Sequence, residues 1–216
     1  IGEPDFGAPP DVLLAMQDLA INAPLPYTSA LGLPELRAAI AGFYQTTHQI
    51  EIDPKRIVVT AGASAALMLL SAAFVDEGDN VIMADPSYPC NKQFIKSFGG
   101  KVQLVPTQAD SSFQLNMSLL QQHWQSGTRG LMLATPSNPT GTAVAADELA
   151  AMCQFVRSKG AWRIVDEIYL NLHHGEAGSQ PMSVLSFDNE ALVINSFSKY
   201  FGMTGWRLGW CVVPER

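Results

Sequence analysis

The sequence predicts an α/β fold, a three-layer sandwich around a central, mostly parallel sheet of seven strands. Short apolar, β-branched runs alternate along it with longer stretches of helical periodicity. Two of those runs, Leu131-Met132-Leu133 and Leu192-Val193-Ile194, are apolar at every position, where a strand with one wet face would alternate. Such strands should be covered on both sides. The 216 residues are 47% apolar, enough for one substantial core and better suited to one large domain than to two.

Pro34-Glu35 opens a helix, with proline in its first turn and a carboxylate at the positive end of the dipole. Leu36, Ile40, Phe43 and Thr47 then share one face. Residues 57–60 read as the first strand. No charge occurs for nineteen residues from Ile57 to Val75, long enough to span a membrane. Val58-Val59-Thr60 is β-branched, however, Ala61-Gly62-Ala63-Ser64 interrupts with small turn-formers, and Asp76-Glu77-Gly78-Asp79 closes the run. A strand, a turn and a buried helix over residues 64–74 fit better. That helix is apolar on nearly every side, so it should lie between the sheet and another layer. Residues 80–84, 101–105 and 130–134 are the next strands. An amphipathic helix follows over residues 145–159, stopped by Lys159-Gly160. Residues 162–166, 191–196 and 209–213 complete the seven strands, and neither an internal repeat nor a low-complexity linker is visible.

A formal charge of −7, relieved by no cluster of lysine and arginine, argues against nucleic-acid and membrane-surface partners. Cys90, Cys153 and Cys211 are odd in number and widely spaced, so they read as reduced thiols of a cytoplasmic protein. His173-His174 are adjacent rather than spaced to face one ion, and no metal site is expected. No basic segment leads into an apolar stretch at Ile1, so no secretory signal is visible.

The run from Ser196 to Gly209, Ser-Phe-Ser-Lys-Tyr-Phe-Gly-Met-Thr-Gly-Trp-Arg-Leu-Gly, sets Lys199 among hydroxyl residues with Arg207 downstream. A lysine amine can form a Schiff base with an aldehyde, Ser196 and Ser198 can donate to a phosphate, and a guanidinium can pair with the same phosphate. Ser-x-Ser-Lys alone is a weak signal. Gly62, Ala63 and Ser64 lie where a strand gives way to a helix, and a helix start offers backbone N–H groups and a positive dipole end to a phosphate. Asp166 ends a strand at the edge where open α/β sheets place their ligands.

Further motifs are Gly2-Glu3-Pro4-Asp5-Phe6, Tyr27 through Arg37, Thr60-Ala61-Gly62-Ala63-Ser64, Asp85-Pro86-Ser87-Tyr88, Pro136-Ser137-Asn138-Pro139-Thr140-Gly141 and Asp166-Glu167-Ile168-Tyr169. With the lysine run they make seven ordered elements, and together they resemble the class I/II aminotransferase family of fold type I pyridoxal-phosphate enzymes. The resemblance runs the length of the chain. It implies that Lys199 carries pyridoxal 5′-phosphate and moves the substrate proton, and that Asp166 pairs with the pyridine nitrogen. Asp-Glu-Ile-Tyr would also serve as a helix cap, the lesser reading of Asp166. The resemblance also implies that Tyr169 and Asn138 hydrogen-bond the phenolic oxygen and that Tyr88 stacks on the ring. Gly62, Ala63, Ser64, Ser196, Ser198 and Arg207 would hold the phosphate. Tyr27 would reach the phosphate of a neighbouring subunit, which implies a homodimer, and Gly2 is similar to a backbone position along the substrate.

The implied activity is transfer of an amino group between an amino acid and a 2-oxo acid. A β-lyase, an enzyme like aminocyclopropane-carboxylate synthase, or the cofactor-sensing part of a transcription regulator would use the same constellation, since the cofactor supplies the chemistry and its surroundings choose the outcome. By the same resemblance, residues 1–216 are expected to be the cofactor-binding large domain, with residues 1–30 forming an N-terminal substrate and dimer-contact segment. A smaller domain that grips the substrate carboxylate is expected to be missing, leaving the chain alone a poor catalyst. The Asp85-Pro86 and Asn138-Pro139 bonds are expected to be cis.

Overall fold

The protein is described by a computed structural model covering residues 2–173 and 181–215. The expectation attached to His174 therefore lies outside the described residues. Along the chain the elements are α1 (Pro10–Asn22), α2 (Pro34–His48), β1 (Ile57–Thr60), α3 (Ala63–Phe74), β2 (Asn80–Asp85), α4 (Asn91–Ser97) and β3 (Lys101–Pro106). They continue through α5 (Met117–His123), β4 (Thr128–Ala134), α6 (Ala146–Ser158), β5 (Trp162–Asp166), β6 (Leu192–Ser196) and β7 (Gly209–Val212).

The strands form one seven-stranded sheet in the order β1-β7-β6-β5-β4-β2-β3. β3, β2, β4, β5 and β6 run parallel, and β7 is antiparallel to both of its neighbours, β1 and β6. Alternation along each strand builds two cores. Val81 and Met83, Met132, Ile164, Leu192 and Ile194 pack with α3 and α4 on one face. Ile82, Leu131 and Leu133, Val165, Val193, Trp210 and Val212 pack with α2, α5 and α6 on the other. The continuously apolar strands are thus covered on both sides, and the three-layer expectation holds.

Details differ from the sequence reading. Thr47 is exposed, and Tyr44 is the residue that α2 buries, because the face follows Ile40 by four rather than by the wider stripe expected. α3 is not enclosed: Ala66, Leu67 and Leu70 face the sheet, while Met68 and Leu69 are exposed on the far side. α1, α4 and α5 were not expected. α4 and α5 are seven residues each, too short to show a period, and α1 buries no residue. Asp85-Pro86 and Asn138-Pro139 are cis as expected, and Thr135-Pro136 is cis as well.

Candidate functional site

At the carboxyl ends of the central strands two groups of side chains meet. The first gathers around the start of α3. β1 ends at Thr60, and the chain turns through Gly62, whose φ of +84° is one that L side chains rarely adopt. No side chain caps α3 at Gly62, so the N–H groups of Ala63 and Ser64 at its start have no side-chain acceptor. A Cβ at Gly62 would stand 2.5 Å from Nη2 of Arg207, so the guanidinium lies directly over the helix start. Arg207 is itself left-handed, with φ +52°. Its Nη1 donates to the Thr204 carbonyl at 3.0 Å and to Ser198 Oγ at 3.5 Å.

β6 brings the serines. Ser196 Oγ lies 2.8 Å from Ser198 Oγ and accepts from the Ser198 N–H at 3.0 Å, and both residues are buried. Gly209 completes the packing: a Cβ there would meet the Gly62 carbonyl carbon at 2.8 Å and the Ala63 nitrogen at 3.0 Å. The first residue of β7 therefore sits against the first turn of α3. Gly62 and Ala63 are buried, and Ser64 is exposed one position further on.

The second group lies at the end of β5. Asp166 is buried, and its Oδ1 accepts the Ile168 N–H at 3.1 Å, so the capping interaction and a free second oxygen coexist. Burial pushes its carboxyl up from 3.8 to about 6, against the lowering effect of that hydrogen bond. Asn138 Nδ2 donates to the Tyr169 hydroxyl at 3.4 Å. Burial raises the Tyr169 hydroxyl above its ordinary pKa, Asn138 opposes the shift, and Asp166 reinforces it. Tyr88 is half-buried; its hydroxyl is raised first by a hydrogen bond with Cys90, then by burial, with Tyr169 and Asp166 close enough to add to the shift.

Lys199 follows Ser198 of the first group directly in sequence. Its Nζ donates to the backbone carbonyl of Gly2, so the N-terminal segment crosses over the lysine. The same segment rests on Gly202, with φ +66°, where a Cβ would come 2.5 Å from the Gly7 carbonyl oxygen. A cleft of about 550 Å³ opens beside Gly2, Asn138, Tyr169, Leu172 and His173. Tyr27 does not join the site: its side chain is fully exposed. Sequence reasoning missed Thr204, Gly209, His173 and Glu167. A glycine opening a strand and a second carboxylate beside Asp166 were the available signals for two of them. Among the described residues no group of three His, Cys, Asp or Glu side chains gathers as metal ligands, and no helix is long and apolar enough to cross a membrane.

A family model described as aminotransferase class I and II matches residues 1–216. The valine–pyruvate aminotransferase of Mycobacterium tuberculosis is 39% identical over 213 residues, covering 99% of this chain and 54% of that protein. An aspartate aminotransferase of Streptomyces avermitilis is 33% identical over 217 residues, covering 99% of this chain and 53% of its own length. Among solved structures, an aromatic aminotransferase from Pyrococcus horikoshii superposes with a TM-score of 0.93 at 34% identity, covering 99% of this chain and 58% of that one. The chain spans about half the length of the curated relatives it matches. It belongs to the class I and II aminotransferase family.

Proposed function

We propose that residues 1–216 form the cofactor-binding large domain of a pyridoxal-phosphate-dependent aminotransferase, a cytoplasmic homodimer that moves an amino group between an amino acid and a 2-oxo acid. The observation that carries this reading is the placing of Arg207 over the uncapped start of α3, with Lys199 and the buried Asp166 at neighbouring strand ends. The residues fit the cofactor. Gly62 leaves the space a Cβ would fill, and the helix start with Ser196, Ser198 and Arg207 offers donors and positive charge to a phosphate.

Bound pyridoxal phosphate would supply an electron-withdrawing ring that makes the substrate Cα proton acidic. Asp166, ionised, would hold a proton on the ring nitrogen. Tyr169 and Asn138 would hydrogen-bond the phenolic oxygen, and Tyr88 would offer a flat face to the ring. Lys199 would anchor the aldehyde and carry the Cα proton, with Nζ held near the Gly2 carbonyl until substrate arrives. Tyr27, fully exposed in one subunit, would serve the phosphate of a second. Residues 1–30 would line the substrate and the dimer contact. Similarity to a relative named for valine and pyruvate makes that pair the first to assay. Borohydride reduction and peptide mapping test the reading. A pyridoxyl group on Lys199 is expected, and its appearance on another lysine, with Lys199 unmodified, overturns it.

A further inference from the structure

Glu167 follows Asp166 directly but points into the other core. Val165 packs on the side of α2 and α6, and two residues on, Glu167 continues that phase. Its N–H donates to the Ile194 carbonyl at 2.9 Å, which sets it beside Asn195 of β6, and Asn195 is in register with Trp210 of β7. Tyr44 of α2 closes over this row, accepting from Trp210 Nε1 at 3.2 Å. Glu167 is fully buried. Its Oε1 accepts the Val184 N–H at 2.7 Å, while Oε2 has no hydrogen-bond partner. Asn195 Oδ1 takes the Ser196 N–H at 2.7 Å, and its side chain reaches the Tyr44 hydroxyl, so it brings no charge to the row.

No arginine, lysine or histidine among the described residues forms an ion pair with Glu167. An ionised Glu167 would be a buried charge with only the Val184 N–H and the Ser183 hydroxyl to stabilise it, no counter-ion and Asp166 next to it. Burying such a charge costs far more than burying the neutral acid, and two adjacent anions repel. We infer that Glu167 is held as the neutral carboxylic acid, with its proton on Oε2, and acts as a positioning residue that leaves the negative charge of this strand end to Asp166 alone. The second half of this statement rests on the function proposed above.

The titration behaviour of the surroundings agrees. Burial lifts Glu167 from 4.5 to about 8; the Val184 N–H and the Ser183 side chain oppose the shift and Asp166 adds to it. The titratable groups facing it bring no positive charge. Tyr44 from α2 is raised well above the tyrosine range by burial and then by Glu167, and Cys153 from α6 is raised to about 12, chiefly by burial. His48 lies beyond Tyr44, and burial lowers its pKa.

The test is the melting temperature of the cofactor-free protein against pH, with wild type and Glu167→Gln measured side by side. A folded-state value above the unfolded one means that stability is full below about 4.5 and is lost as pH rises through about 8. Glutamine cannot ionise, and the contribution of Asp166 is common to both proteins. The variant should therefore gain on wild type across that window by more than about 3 °C and hold level outside it. Parallel curves overturn the inference. Should the variant fail to fold, carbon NMR of labelled glutamate in the wild type decides: one carboxyl titrating near 8 supports the inference, and none above the ordinary range sinks it. Neither measurement needs cofactor, so each stands if the proposed function fails. For the positioning role, the pH midpoint of the bound cofactor's visible absorbance should agree between the two proteins. A shift of about one pH unit or more would show that the charge resided on Glu167.

Discussion

Asp166 is where stability and the proposed chemistry make opposite demands. A folded-state pKa of about 6, above the unfolded 3.8, means that ionising it destabilises the empty site, with stability full below about 3.8 and falling until about 6. Asp166→Asn keeps an oxygen for the Ile168 N–H and removes the charge. The cofactor-free variant should melt higher than wild type at neutral pH, by at most about 3 kcal/mol, with the gain gone in acid where wild type is also neutral. Turnover should move the other way, falling by about a hundredfold or more because a neutral amide cannot hold the ring nitrogen protonated. Tyr169→Phe should be milder. It removes one hydrogen bond, typically worth about 0.5–1.5 kcal/mol, or roughly tenfold at most in kcat/KM. Comparable losses for the two variants in steady-state assays of the full-length protein would contradict the division of roles.

At the scale of elements, the meeting of β1, α3 and β7 makes two glycines unequal. Gly62→Ala pushes a Cβ against the mobile end of Arg207 at a φ of +84°, so a backbone cost of about 1–2 kcal/mol and a displaced guanidinium are expected. Phosphate affinity of the cofactor-free protein, read by calorimetry, should fall by about tenfold. Gly209→Ala meets backbone atoms of Gly62, Ala63 and Asn195 that cannot step aside, and should lower the melting temperature further than Gly62→Ala does. Gly62 was legible from its place between a β-branched run and a helix. Gly209 was not, because a close approach between elements far apart in sequence leaves only a glycine in the local pattern. All seven strands were legible, since each carries an apolar run bounded by turn residues. α1 was missed because its apolar residues face outward, where no period-matching core exists to explain them. Asn138, Tyr169 and Asp166 could be listed from motifs, whereas the opposite facing of Glu167 becomes clear only once the phase of β5 is fixed by its neighbours.

For the molecule as a whole, the exposed apolar residues are the surface on which the proposed dimer contact is tested. Leu13, Leu14, Leu19 and Ile21 of α1 and Leu25 beyond it are exposed, as are Met68 and Leu69 of α3. Leu14→Glu with Ile21→Glu should reduce self-association in sedimentation velocity while leaving the melting temperature within about 1 °C, because α1 contributes nothing to either core. An unchanged sedimentation profile would contradict a dimer contact through α1. The strand order has a consequence for how the chain is made. β1 lies beside β7, the strand of this sheet furthest from it in sequence, and β7 alone links β1 to β6. On a ribosome, β1 must therefore wait about 150 residues, until β7 has emerged, before it finds a strand partner. The nascent protein should engage holding chaperones until Gly209–Val212 is released, and Gly62 and Arg207 come together only at that last step.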